Sequence, residues 1–238
     1  MALLIILVAF LAGAVAAVAG FGIGSFLTPA FAMKAGIELA VAAVAIPHFV
    51  GTSIRFWLLR RHLDRDLLMS FGLTSAAGAL VGALLHVWAR DPVLTAVFAV
   101  LLIFSGVMGL SGLSRRLRFT GAGAWIAGAV SGMFGGLVGN QGGIRAAAML
   151  GLQVPRDEFV ATATAIALFV DFARMPVYIF TQGRSLVHIW PLIAMSAVAV
   201  AGGTLFGGRV LSAIPQQLFH KIVAGLVLLL GVLMLFRI

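Results

Sequence analysis

Apolar residues run in stretches long enough to cross a bilayer, and short polar clusters separate them. A helix needs about 20 such residues to span a hydrocarbon core of about 30 Å, and on that criterion about eight segments can be drawn. They cover Leu3–Met33, Glu38–Leu59, Leu67–Ala89, Val93–Leu113, Gly121–Leu152, Phe159–Phe180, Leu186–Gly208 and Gln217–Phe236. The turns between them are expected at RRHLDRD (Arg60–Asp66), Arg90–Pro92, SRRLR (Ser114–Arg118), VPRDE (Val154–Glu158) and TQGRS (Thr181–Ser185). MALLIILVAF carries no basic residue and reads as part of the first membrane segment, not as a cleaved leader. The in–out alternation of a membrane β-barrel is absent. The fold class is therefore an all-α polytopic membrane protein.

The first and fifth segments are too long. As one straight helix at about 1.5 Å per residue, the first would reach roughly 46 Å. Each is interrupted by glycines, at GFGIGSFLTP (Gly20–Pro29) and at SGMFGGLVGNQGGIR (Ser131–Arg145). Both are expected to be broken or re-entrant, because irregular backbone at membrane depth survives only where it is buried in protein or lines a cavity.

The two halves also repeat. LAGAV (Leu11–Val15) matches IAGAV (Ile126–Val130), AIPHFV (Ala45–Val50) matches AIALFV (Ala165–Val170), and Gly78/Gly82 match Gly203/Gly207. The shared order predicts duplication of a four-segment unit, with residues 1–118 as the first repeat and 119–238 as the second. Paired, glycine-interrupted segments of this kind point to a transporter binding site. If the long segments cross, the halves run parallel; if they are re-entrant, each half crosses three times and the halves are inverted. The excess length favours the second arrangement.

Composition agrees: 62% of residues are hydrophobic and 10% charged. The net charge of +9 lies mostly between segments, so it reports topology and not nucleic-acid binding. With no cysteine there is no disulfide or thiolate site. The histidines show no ligand spacing, so neither metal nor cofactor is expected.

The candidate chemistry centres on Arg145. A buried arginine costs about 2.5–3.5 kcal/mol on insertion scales, and its planar guanidinium suits a sulfite, sulfonate or carboxylate. Snorkelling or a pair with Asp171 would be the structural alternatives. Asn140 and Gln141 offer neutral donors beside it or cap a broken helix. Gly139, Gly142, Gly143, Gly22 and Gly24 allow close backbone approach and free N–H groups, or else tight helix packing. His48 after Pro47 and Thr162 complete the candidate binding set. Asp171 and Arg174, three residues apart on one helical face, are expected to form a charge pair, with Asp171 also a candidate proton carrier. Arg55 is expected to snorkel to an interface, and the Gly78/Gly82 and Gly203/Gly207 pairs to let helices pack closely.

GFGIGSFLTPAF (Gly20–Phe31), AIPHF (Ala45–Phe49) and SGMFGGLVGNQGGIRAA (Ser131–Ala147) together resemble the TauE/SafE family of sulfite and organosulfonate exporters and related permeases. The duplication extends the resemblance over essentially the whole chain. GNQGGIR stands where many members carry a plain run of glycines and apolar residues. The resemblance implies passage of small sulfur- or carbon-containing anions.

The expectation is thus a secondary transporter in the cell's inner membrane, with a small anion, the lipid bilayer and a second copy of itself as candidate partners, and no nucleic acid. A membrane-embedded enzyme is the alternative from another class, but no HExxH, GxSxG or Walker motif occurs. An accessory subunit without transport activity would explain neither the duplicated breaks nor the buried charge.

Overall fold

The computed structural model describes residues 1–112, 122–140, 142, 144–145, 149, 156–211 and 214–236. Among them every regular element is helical. In chain order they are α1 (Ala2–Ala19), α2 (Ile23–Leu59), α3 (Arg65–Trp88), α4 (Asp91–Ser111), α5 (Ala122–Val138), α6 (Arg156–His188), α7 (Trp190–Leu211) and α8 (Gln216–Leu235). Seven are long and apolar enough to cross a membrane; α5 is shorter. The outward faces are apolar, as with Leu80, Val81 and Leu84 of α3. Trp57, Trp88, Trp125 and Trp190 are exposed near helix ends, where amphipathic rings suit the headgroup level.

The long first segment breaks where expected. α1 ends at Gly20, which is left-handed (φ 80°), and α2 starts after Gly22 (φ 128°). A second break lies at Gly36 (φ 78°, ψ 161°), dividing α2 into a short limb and a long one. Both Gly20 and Gly36 sit where an L side chain would be strained. Asp91, at the start of α4, accepts the Glu38 N–H freed by the break, at 3.1 Å. Losing an equivalent side-chain cap costs about 0.5–2 kcal/mol. Asp91→Ala is therefore expected to lower the thermal midpoint in detergent by a few degrees, and an unchanged midpoint would mean that water replaces the carboxylate without cost.

One turn was misplaced by the sequence reading. TQGRS does not end a helix: α6 runs on to His188. A single glycine costs a helix only about 1 kcal/mol. Gln182 in that stretch turns inward, where its amide donates to Glu38 Oε1 at 3.3 Å and lies 3.2 Å from His86 Nε2. SRRLR and most of the stretch from Gln141 to Pro155 lie outside the described residues.

α2 and α6 lie side by side and run antiparallel. Glu38 meets Gln182, His48 meets Asp171, and the Asp64 N–H just past α2 donates to Thr162. Around them α1 packs on α7, α5 on α3, and α4 on α8. Small residues set these contacts. A Cβ on Gly78 or Gly82 would overlap the backbone of Ala129 or Met133 in α5, and one on Gly203 would overlap Phe10 of α1. Backbones can approach that closely only without side chains between them.

Candidate functional site

The two breaks meet. Gly139 ends α5 in the left-handed conformation (φ 73°), as Gly20 ends α1. Gly24, in the first turn of α2, touches the Gly139 carbonyl: a Cβ there would lie 2.5 Å from its oxygen. Next to this contact the Ser25 hydroxyl donates to Asn140 Oδ1 at 3.3 Å. The chain can turn here because α1 and α5 each end at a glycine in the left-handed conformation, which L side chains rarely adopt.

Between the breaks lies a small cavity. The first break contributes Gly20, Phe21, Gly22, Gly24 and Ser25 to its wall; the second contributes Gly139, Asn140, Gly142 and Arg145. α2 adds His48 and Arg55. Its volume is about 10 Å³, roughly that of one water-sized sphere.

The charges here are unbalanced. Among the described residues the buried charged side chains are Arg55, Arg145, Arg174 and Asp171. Asp171 Oδ1 accepts from Arg174 Nε at 3.0 Å and Nη2 at 2.8 Å. Its Oδ2 lies 2.7 Å from His48 Nδ1. That satisfies Arg174, which also donates from Nη1 to the Gly135 carbonyl at 2.9 Å. Nearby, Tyr178 donates to Gly136 O, and His86 Nδ1 lies 2.7 Å from Leu137 O. Three side chains thus hold the last turn of α5, whose carbonyls form its negative pole.

Arg55 does the same for α1, donating to the Ala16 carbonyl at 2.7 Å and to Thr52 Oγ1 at 3.3 Å. Among the described residues no carboxylate pairs with it. Arg55 Nε, Arg145 Nη1 and Asn140 Nδ2 are buried donors with no hydrogen-bond partner among the described residues. Buried donors left unpaired are costly, and charged ones most of all. All three belong to residues that line the same cavity.

Of the residues singled out from sequence, Gly22, Gly24, His48, Gly139, Asn140, Gly142 and Arg145 come together on this wall. Gln141 and Gly143 lie outside the described residues. Asp171 and Arg174 pair as expected, set behind His48 and away from the lining, and Asp171 bonds to Arg174 and His48, not to Arg145. Thr162 stands elsewhere: it is fully buried, and its hydroxyl accepts the Asp64 N–H at 3.0 Å, fixing the loop after α2.

Arg55 is the correction. It does not snorkel; it is 3% exposed and faces the cavity, because the α1 carbonyl gives it an inward partner. The signal was present: His48, Thr52 and Arg55 recur at helical spacing on one face of α2. Ser25 and Phe21 were also missed; nothing in their residue type sets them apart. Among the described residues no group of three or more His, Cys, Asp or Glu could hold a metal.

A family model described as "Sulfite exporter TauE/SafE" matches residues 5–234. No curated protein and no solved structure matches the chain.

Proposed function

The chain belongs to the TauE/SafE sulfite exporter family, a family of membrane transporters, and from that premise we propose that it is a secondary transporter binding a small anion in the cavity between its two breaks. The observation that carries this reading is the set of unpaired buried donors, Arg145 Nη1, Arg55 Nε and Asn140 Nδ2, on one wall. Two buried guanidinium groups there lack a protein counter-charge among the described residues. A sulfur oxyanion, organosulfonate or carboxylate supplies both the charge and the acceptors. The half-helix starting after Gly22 adds a positive pole to the same place.

The reading includes inverted repeats, 1–118 and 119–238, in an inner membrane. α1 with the short limb of α2 forms a re-entrant hairpin, and α5, ending at Gly139, stands in the corresponding place of the second half. The other helices give three crossings per half. Antiparallel α2 and α6 support this, as do the exchanged pairs α1–α7 and α5–α3. Arg55 on Ala16 and Arg174 on Gly135 are corresponding contacts. Only the second arginine has an acid beside it, and that asymmetry leaves Arg55 for the solute. The inverted arrangement puts VPRDE and RRHLDR on one side, as positive-inside topology requires. A reporter fused after Glu158 is expected to read cytoplasmic and one at the C-terminus external. A cytoplasmic C-terminal reporter would restore the parallel alternative.

No ATP-binding loop occurs in the sequence, so transport draws on an ion gradient, the solute's own gradient or a separate protein. The test is counterflow into proteoliposomes with sulfite, sulfoacetate, taurine and short carboxylates in turn. At least one anion is expected to exchange. Turnover of a substrate without passage of any of them would favour the embedded-enzyme reading.

A further inference from the structure

We propose that His48 carries a proton across with the anion, so that the protein is a proton–anion symporter; this rests on the anion reading above. The buried acid cannot be the carrier as it stands. Asp171 is fully buried, away from the cavity wall, and held by two bonds from Arg174 as well as by His48. His48 stands between it and the cavity, with its side chain 12% exposed and on the lining. The Asp171 carboxylate only accepts, so it fixes the hydrogen on Nδ1 at 2.7 Å. That leaves Nε2 as the ring nitrogen able to take a proton, which is how a carboxylate commonly sets an imidazole tautomer.

The charges around His48 make this proton conditional. Asp171 and Arg174 face it from α6 and neutralise one another. Arg55 and Thr52 stand on its own helix, and Arg145 lines the same cavity from beyond the Gly139 break. Protonation puts a third positive charge beside two unbalanced ones, which only an anion in the cavity offsets. By reciprocity, whatever the anion does for the proton, the proton does for the anion. The site then passes between the two sides loaded with both or with neither. In each cycle one proton passes from water on one face to His48 and is released to water on the other face with the anion.

The test uses the full chain in liposomes holding a trapped pH indicator, with a sulfite gradient at a pH where sulfite is the dianion. Wild type is expected to admit protons with sulfite. In H48Q sulfite entry should fall at least about tenfold, and the sulfite that still enters should bring no proton. Calorimetry of sulfite binding to the solubilised protein, in two buffers of different protonation enthalpy, should show proton uptake in wild type and none in H48Q. Sulfite entry into wild type without protons overturns the proposal, and so does wild-type proton uptake in H48Q. An H48Q protein that binds no sulfite at any pH overturns it as well, since His48 is then an anion ligand only. A wild type that neither binds nor moves sulfite tells against the anion reading instead.

Discussion

Arg145→Ala stops sulfite flux, at least about a hundredfold, while the protein stays folded. The guanidinium is 3% exposed and its Nη1 has no partner among the described residues. Removing it therefore breaks no hydrogen bond from that atom to them, and it relieves a buried charge. Truncating one member of a buried, hydrogen-bonded charge pair costs about 2–5 kcal/mol. A mid-range loss of about 3 kcal/mol is about a hundredfold in affinity. The measurement is initial flux of labelled sulfite into proteoliposomes, with monodispersity and thermal midpoint followed in parallel. Flux within a few-fold of wild type would remove Arg145 from the solute's path. Lost flux with a lower midpoint would instead make it a structural residue. Arg145→Lys keeps the charge but not the planar fork, so it should recover only part of the flux.

The second large effect is structural. Gly82→Ala puts a Cβ inside the van der Waals shell of the Met133 carbonyl oxygen and close to the Leu137 nitrogen. Both are backbone atoms of α5 and cannot rotate away. The two helices must separate, and α5 carries the Gly139 break at its end. Overpacking of this kind costs about 1–3 kcal/mol, occasionally more, so a marked fall in thermal midpoint and in recovered folded protein is expected. The matched control is Gly225→Ala in α8, where nothing lies within 4 Å. There alanine should hold or raise the midpoint, by up to about 1 kcal/mol of helix propensity. Equal behaviour of the two variants would show that α3 and α5 are not packed through glycine.

The glycine pattern made the helix contacts partly legible: Gly78 and Gly82 lie against α5, and Gly203 and Gly207 against α1. The turn expected at TQGRS failed. Its residues suit a turn, but Gln182 finds partners inward, and tertiary bonding overrides a modest local preference.

The sequence alone determined the solvent. Long apolar runs dictate lipid, and lipid forces every backbone break to be sheltered, so glycines inside over-long segments marked the cavity, with Arg145 beside it. Those inferences follow from distances along one chain. Which residues complete the wall was decided only by tertiary structure. Arg55 looks like an interfacial residue until the α1 carbonyl is seen to hold it inward. Thr162 looks like a ligand until the Asp64 N–H claims it. Asp171 is a charge partner by spacing, and only the neighbouring helix brings His48 to it. A polar group at membrane depth must find its partner on another helix, and periodicity shows which face is polar without showing what that face will meet.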